Sequence, residues 1–154
     1  MEIALASYFD YRTNLIVPNI SWGMFIHECD LLVITPAGYA WEVEIKISKQ
    51  DLVRDSNKGH NHNNEKIKHL YFAIPKSLLK HKDLIPKRAG IITVERIEGY
   101  YAKLYLHCKK ERKADTNFLY KFTTEQRLKV ARLGTMRIWG LKNKMLKQEN
   151  ANKI

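Results

Sequence analysis

The sequence predicts an α/β protein with a mixed β-sheet, and two features carry this prediction. Two hydrophobic segments flank Pro36-Ala37-Gly38, a tripeptide suited to the tight turn of a β-hairpin. Further along, the short apolar run Leu70–Ile74 follows a polar, helix-forming segment. This order is typical of a buried parallel strand that is reached by a crossover from the hairpin.

The first half of the chain is predicted to form a helix, three strands and a second helix. Apolar and polar residues alternate strictly from Trp41 to Ile47, which is the two-residue period of a strand. Ser48 and Asp51 have the spacing of a capping box, so a helix should begin directly after that strand. The predicted elements are a helix over Glu2–Phe9, a strand over Leu15–Ser21, hairpin strands over Glu28–Thr35 and Tyr39–Ile47, and a helix over Lys49–Ser56.

The second half is predicted to extend the sheet. The polar segment Asn57–Asn64 indicates a mobile loop before the strand Leu70–Ile74. Ala89–Arg96 and Tyr100–His107 alternate on either side of a glycine, which predicts a second hairpin at the edge of the sheet. Charged residues fill Lys109–Lys113, and we expect a connector there.

A long basic helix is predicted at the end of the chain, over about 123–147, with Thr123 as its N-cap and Gln126 completing a capping box. The apolar stripe that we expect to pack against the protein consists of Leu128, Ala131, Met136, Ile138, Trp139, Leu141, Met145 and Leu146. The opposing basic side includes Arg127, Lys129, Arg132 and Arg137. These four side chains either contact nucleic-acid phosphates or form a solvated face.

Length and charge restrict the class of protein. With 154 residues we expect one domain spanning 1–154, with a core over about 1–107. The net charge of +11 favours encounter with phosphate backbones, although ribosome-bound, heparin-binding and membrane-surface proteins share this property. Two cysteines are too few for a disulfide framework. No signal peptide or membrane span is visible, so the expected compartment is the cytoplasm, and no membrane partner is expected.

The first hairpin is the segment with the clearest chemistry. If Thr35 lies opposite Tyr39, then Asp30 lies opposite Glu44, while Glu28 lies opposite Lys46 and Glu42 shares the same face. A two-residue loop or a bulge would instead turn Asp30 to the other face.

Two facing carboxylates repel each other, and a hard divalent cation removes this conflict. Asp30 and Glu44 are therefore candidate Mg²⁺ ligands. Lys46 could orient or deprotonate a water molecule, or stabilise negative charge that develops on phosphorus. The alternative is a polar, solvent-facing strand without a metal.

The arrangement resembles the PD-(D/E)XK nuclease superfamily, in which an Asp on one strand precedes Glu-x-Lys on the next. Here Asp30 and Glu44-Ile45-Lys46 match this pattern, and Cys29 stands where the superfamily name has Pro. The chain is most similar to the MmcB-type DNA-repair branch and to related small phage proteins. The similar segments lie between Leu15 and Glu95 and include Val17–Gly23, Glu44–Asp51, Leu70–Pro75 and Ala89–Val94.

This resemblance implies a restriction-endonuclease-like fold with an α-β-β-β-α-β core, to which a hairpin and a long C-terminal helix are added. It implies a Mg²⁺-dependent deoxyribonuclease, with Mn²⁺ as a substitute, that acts in DNA repair, recombination or phage DNA processing. The backbone carbonyl of Ile45 would join Asp30 and Glu44 as a metal ligand. The rival hypothesis is a catalytically inactive DNA-binding or repair-accessory module on the same fold. The oligomeric state is left open, with a homodimer among the options.

Accessory roles follow from position. Glu28 and Glu42 are candidate accessory acids because of their place in the hairpin. Lys49 and Asp51, with Asp55 one turn later, either surround the site or form a surface pattern on the helix.

The polar loop contains Lys58 and His60, which either contact DNA or are solvated. His60-Asn61-His62 spells HNH, but the residues of HNH nucleases are spread over a larger unit. No paired spacing typical of zinc sites anchors Cys29, His60, His62 or His69, so we expect no zinc.

Overall fold

The computed structural model describes residues 1–20, 26–56, 62–98 and 104–151. The helices are α1 (Glu2–Tyr8), α2 (Lys49–Ser56) and α3 (Thr124–Ala151), and a 3₁₀ segment covers Lys76–Leu84. The strands are β1 (Leu15–Ile20), β2 (Cys29–Ile34), β3 (Ala40–Ile45), β4 (Ile67–Pro75), β5 (Gly90–Glu98) and β6 (Leu104–Arg112).

The six strands form one mixed sheet in the order β1-β2-β3-β4-β5-β6. Strand β4 is parallel to both β3 and β5, and the other neighbouring strands are antiparallel. The predicted α/β class is therefore confirmed, together with the parallel strand after the hairpin. None of the helices in the described ranges is long and apolar enough to span a membrane.

The hairpin between β2 and β3 has the predicted register, with Leu32 opposite Glu42. The Thr35 N–H donates to the Tyr39 carbonyl at 2.9 Å, and Gly38 has a φ of 88°, in the left-handed region that favours glycine. The Gly38 carbonyl accepts a hydrogen bond of 2.8 Å from the Phe122 N–H. This turn therefore fixes the segment that leads into α3.

The sheet is covered on both faces. On one face α1 contributes Leu5 to a core cluster with Leu31, Val43 and Tyr71. On the other face two clusters lie side by side, one around α3 and one around α2. Strand β3 passes between these two clusters, and this position matters for the site described below.

Capping at both predicted helix starts is confirmed. Before α2, the Ser48 N–H donates to Asp51 Oδ2 and the Asp51 N–H donates to Ser48 Oγ, each at 3.1 Å. Before α3, Thr123 and Gln126 make the same reciprocal pair at 2.9 and 3.2 Å. Local side-chain chemistry thus determines where both helices begin.

The predicted connector over Lys109–Lys113 is wrong, because β6 continues to Arg112, opposite Ile91 of β5. This stretch lacks the apolar alternation of a strand that is covered by core. It pairs nevertheless because β6 is an edge strand, where charged side chains can reach solvent.

The predicted packing of the α3 apolar stripe is also wrong. Val130 is fully buried, and Leu133 packs partly against the cluster beside β1. Beyond this point the apolar side chains of the helix are largely exposed, and Met136 and Trp139 are 62% and 60% exposed. Periodicity predicts an apolar face, but it does not say whether the sheet extends far enough to cover that face.

Candidate active site

Three polar residues of the β3 segment lie at the centre of the candidate site. Glu42, Glu44 and Lys46 point to the face of the sheet opposite Val43, as the strand period requires. Their exposures are only 0%, 2% and 8%. Charged side chains are seldom buried so completely unless they are paired or bind an ion.

Lys46 is paired with two carboxylates. Its Nζ lies 2.5 Å from Glu44 Oε2 and 2.8 Å from Asp55 Oδ1. Asp55 comes from the last turn of α2, so the capping of this helix by Ser48 and Asp51 determines where Asp55 meets the strand.

His62 connects the other carboxylates of the cluster. Its Nε2 lies 2.7 Å from Asp55 Oδ2, and its Nδ1 lies 2.6 Å from Glu42 Oε1. His27 Nε2 lies 2.8 Å from the same oxygen of Glu42. We call these six residues, His27, Glu42, Glu44, Lys46, Asp55 and His62, the buried polar network.

Burial and ion pairing shift the pKa values of the network in opposite directions. Which effect is larger differs from one group to another. Burial raises the pKa of Glu44, and its pairing with Lys46 offsets this only in part. Burial would lower the pKa of Lys46, but the carboxylates of Glu44 and Asp55 outweigh it and raise this pKa. Lys46 is therefore an ammonium ion at neutral pH.

The histidine bridge has the same physical origin. Burial alone would lower the pKa of His62, but hydrogen bonds to Asp55 and Glu42 raise it to about 9. Burial alone would raise the pKa of Glu42 and of Asp55. Hydrogen bonds with histidines outweigh burial, and the pKa of each carboxyl is lowered. Without a metal, His62 is therefore an imidazolium held between two carboxylates.

Two carboxylate oxygens in the network have no hydrogen-bond partner among the described residues, namely Glu42 Oε2 and Glu44 Oε1. A buried acceptor without a partner costs about 1–3 kcal/mol, and more when it is charged. Donor atoms close enough to share one ion occur in two groups, His27 with Glu42 and His62, and Glu44 with Asp55 and His62. The network therefore has the donor atoms and the unsatisfied charge that a cation requires.

Asp30 lies at the start of β2, and its Oδ2 accepts a 2.6 Å hydrogen bond from the Ile45 N–H. With Thr35 bonded to Tyr39, regular antiparallel pairing would give that N–H to the Cys29 carbonyl. The Asp30 carboxylate thus replaces a backbone acceptor where the hairpin pairing ends.

Asp30 and Glu44 approach the Ile45 backbone from different sides. Asp30 lines a groove of about 560 Å³ together with Ile45 and Ile47, and Ile45 packs on the α1 side of the sheet. Glu44 belongs to the buried polar network on the other side. The two are near enough for the Asp30 charge to contribute to the raised pKa of Glu44. Neither group of three possible metal ligands includes Asp30.

The accessory residues predicted around the site are dispersed. Glu28 is exposed and lines a groove beside α3, not the neighbourhood of Lys46. Lys49 is exposed, and Asp51 serves as a helix cap. Glu42, by contrast, is fully buried within the network. Lys58 and His60 lie outside the described residues.

The four predicted phosphate-contacting residues of α3 have different surroundings. Arg127 Nη1 donates to the Pro36 carbonyl at 3.1 Å, and Arg137 Nη2 donates to the Asn19 carbonyl at 2.5 Å. These two arginines hold the helix to the sheet. Lys129 makes an exposed ion pair with Glu125 at 2.9 Å, and Arg132 is exposed.

The sequence analysis missed His27 and undervalued His62 and Asp55. Only Asp55 carried a usable signal, since it lies one helical turn beyond Asp51 on a helix that directly follows Lys46. His62 enters the site with a φ of 53°, a left-handed conformation that sequence spacing does not reveal. A groove of about 320 Å³, lined by Asp55, His62 and residues 83–87, opens onto this side of the network.

The His62 bridge should make the stability of the metal-free protein depend on pH. The folded protein holds the His62 proton with a pKa of about 9, compared with 6.5 for an unperturbed histidine. The stabilisation is therefore complete below pH 6.5, and it should be lost as pH rises towards 9, by on the order of 3 kcal/mol. Urea unfolding in EDTA across this range measures the loss.

The matched variants for this measurement are His62→Gln and His107→Gln, since His107 is exposed on β6. His62→Gln should flatten the fall in unfolding free energy between pH 6.5 and 8.5, and His107→Gln should leave it intact. Equal slopes in all three proteins would show that His62 is not the titrating group.

Comparison with known proteins gives a match in fold alone. No family model and no curated protein matches this chain. Among solved structures, the chain is similar to the SPO1766 protein of unknown function from Silicibacter pomeroyi, with a TM-score of 0.59 and 16% sequence identity. The match covers 95% of this chain and 88% of that one.

Proposed function

We propose that the protein is a metal-dependent deoxyribonuclease that hydrolyses phosphodiester bonds. The observation that carries this proposal is the convergence of Glu44, Lys46 and Asp55 in a buried cluster in which one carboxylate oxygen, Glu44 Oε1, has no hydrogen-bond partner among the described residues. A strand that served only the core would gain nothing from this arrangement, because burying charge is costly.

Glu44 would be the principal metal ligand. The resemblance to PD-(D/E)XK nucleases implies Asp30 and the Ile45 carbonyl as further ligands, and to share an ion with Glu44 the Asp30 side chain would have to leave the Ile45 N–H and turn to the Glu44 side of β3. Oxygen donors of this kind suit Mg²⁺ or Mn²⁺. When bound, such an ion activates water and neutralises phosphate charge.

Lys46 would supply positive charge to the reaction. Its ammonium form is held between two carboxylates, so it is a poor proton acceptor and a good donor of hydrogen bonds to an anionic phosphate. Asp55 would position Lys46, and His62 would position Asp55.

Two broader features support a nucleic-acid substrate. The chain has a net charge of +11 although the site itself is rich in carboxylates. The positive electrostatic field that would attract a polyanion therefore arises from residues outside the site. The element order from α1 to β4 is α-β-β-β-α-β, which is the order expected for a restriction-endonuclease-like core.

One observation favours the rival function, a DNA-binding or repair-accessory module without activity. Glu44 and Lys46 neutralise each other and are almost inaccessible, as they would be in a purely structural ion-pair network. The two functions differ in whether DNA is cut.

The test is incubation of the protein with supercoiled, linear and branched DNA in Mg²⁺ or Mn²⁺, beside an EDTA control. We expect cleavage of at least one form with metal and none in EDTA. Binding to DNA without cleavage of any form with either ion would establish the accessory function instead.

The exposed basic residues of α3 should contribute to DNA affinity. Each phosphate contact adds about 0.9 to the slope of log affinity against log salt on duplex DNA. Replacing Lys129 and Arg132 with Gln should therefore lower this slope by up to about two units. Arg127 and Arg137 are left unchanged because they hold α3 to the sheet.

The matched control changes Lys80 and Lys82 to Gln, which removes the same charge from exposed positions in the 3₁₀ segment. If the two double variants have equal slopes of log affinity against log salt, the basic side of α3 is a solvated face that does not contact DNA. Circular dichroism checks that both variants remain folded.

A further inference from the structure

The buried polar network contains a second set of metal donors, distinct from the Asp30 and Glu44 pair. His27 and His62 approach the same oxygen of Glu42, at 2.8 and 2.6 Å, from the segment before β2 and the segment before β4. The donor atoms of all three residues lie within 4.8 Å of one another. Three parts of the chain far apart in sequence thus bring two imidazoles and one carboxylate together.

The other oxygen of Glu42 provides an independent reason to expect a ligand. The Glu42 side chain is fully buried, and its Oε2 has no hydrogen-bond partner among the described residues. Both histidines contact Oε1, whereas no group in the described part of the chain donates a hydrogen bond to Oε2. A buried carboxylate is costly in this state, and a cation that binds it removes the cost.

Asp55 adds the orienting contact that metal-binding histidines usually have. His62 Nδ1 faces Glu42, and its Nε2 lies 2.7 Å from Asp55 Oδ2. An imidazole that donates its remote N–H to a carboxylate is fixed in tautomer and orientation, and it becomes a stronger ligand through its other nitrogen. Asp55 is in turn held by Lys46 at 2.8 Å.

We infer that His27, Glu42 and His62 bind a divalent transition-metal ion of the Zn²⁺ type. Two imidazoles with one carboxylate form a donor set that suits Zn²⁺, whereas Mg²⁺ prefers oxygen ligands throughout. The sequence expectation of no zinc rested on the absence of a paired Cys or His motif. Residues 27, 42 and 62 form no such motif, because the sheet and not the local sequence brings them together.

The inference does not rest on the proposed nuclease function. Glu44 Oε1 lies 4.0 Å from His62 Nδ1, so the two donor sets adjoin each other. Their separate ligands, Asp30 for one set and His27 for the other, allow independent tests.

The first measurement is titration of the EDTA-stripped full chain with Zn²⁺ by calorimetry, with Mg²⁺ present in excess. We expect one Zn²⁺ per chain, at micromolar or tighter affinity, that millimolar Mg²⁺ does not displace. Substitution by Co²⁺ should give the intense visible absorption bands characteristic of four-coordinate Co²⁺, which weakly bound, hydrated surface Co²⁺ does not give.

Variants then assign the ligands. His27→Gln and Glu42→Gln should each weaken Zn²⁺ binding by at least about tenfold, and Asp55→Asn by about 10- to 100-fold through loss of the orienting contact. The control His107→Gln, at an exposed histidine on β6, should bind as the wild type does. His27 is 15% exposed at the edge of the network, so His27→Gln is the variant least disturbing to the fold.

Asp30→Asn separates this inference from the proposed function, because it should lose cleavage and retain Zn²⁺. A wild-type chain that binds no stoichiometric Zn²⁺, or a folded His27→Gln variant with unchanged Zn²⁺ affinity and an unchanged Co²⁺ spectrum, would overturn the inference. Neither result would bear on cleavage in Mg²⁺.

Discussion

Replacing Glu44 with Gln should lower the rate of DNA cleavage by at least about a thousandfold and change DNA affinity by less than about threefold. Glutamine retains the shape of the side chain and its contact with Lys46, so the packing around β3 should survive. It removes the negative charge that a metal ion requires at Oε1. DNA affinity depends on many phosphate contacts and should be insensitive to one buried residue.

The control for this prediction is Glu95→Gln, which makes the same chemical change in an exposed ion pair with Lys76. Single-turnover cleavage and fluorescence anisotropy would be measured for both variants in Mg²⁺. Cleavage by Glu44→Gln within tenfold of the wild-type rate would remove Glu44 from the proposed catalytic site.

Glu44→Gln should also show whether the network serves catalysis or only the stability of the fold. Burial raises the pKa of Glu44, so the charged form of this side chain is disfavoured in the metal-free protein. Neutral Gln removes the cost of burying this charge, so the metal-free variant should be no less stable than the wild type. A loss of cleavage in a protein of undiminished stability would point to chemistry and not to folding.

Sequence reasoning succeeded where a structure depends on neighbouring residues. The capping pairs of α2 and α3 and the turn at Gly38 each use contacts within five residues, and all formed as predicted. The register of the hairpin followed from that turn. The common face of Glu42, Glu44 and Lys46 was predicted from the alternation within one strand, which is also local.

Sequence reasoning failed where a residue depends on distant parts of the chain. His27 and His62 reach Glu42 across separations of 15 and 20 residues. Asp30 bonds to the Ile45 backbone because the hairpin pairing ends beside it, and no alternation pattern marks that end. The exposed stripe of α3 likewise depends on where β1 ends and not on the helix itself.

Lys46 links the folding of the site to its chemistry. It is the only lysine of the network, and both Glu44 and Asp55 depend on its charge. Removing it should therefore have a larger effect on stability than removing any single carboxylate.

Lys46→Met should lower the free energy of unfolding by about 3–5 kcal/mol, because it leaves Glu44 buried without its cation and Asp55 paired with His62 alone. Methionine retains most of the apolar stem, so little of the loss should come from packing. Urea unfolding at pH 7 in EDTA measures the change. Lys76→Met is the control, since it breaks an exposed ion pair with Glu95 and should cost less than about 1 kcal/mol.

Adding Glu44→Gln to Lys46→Met should restore stability, because the buried negative charge of Glu44 that Lys46 had neutralised is then removed. The two substitutions should therefore be non-additive by at least about 1 kcal/mol, as expected for residues in direct contact. An additive pair, or a Lys46→Met variant within 1 kcal/mol of the wild type, would mean that solvent reaches Lys46 and its partners in solution. The cluster would then be an open, hydrated site, and the cost of burial could no longer be used to argue that it binds a cation.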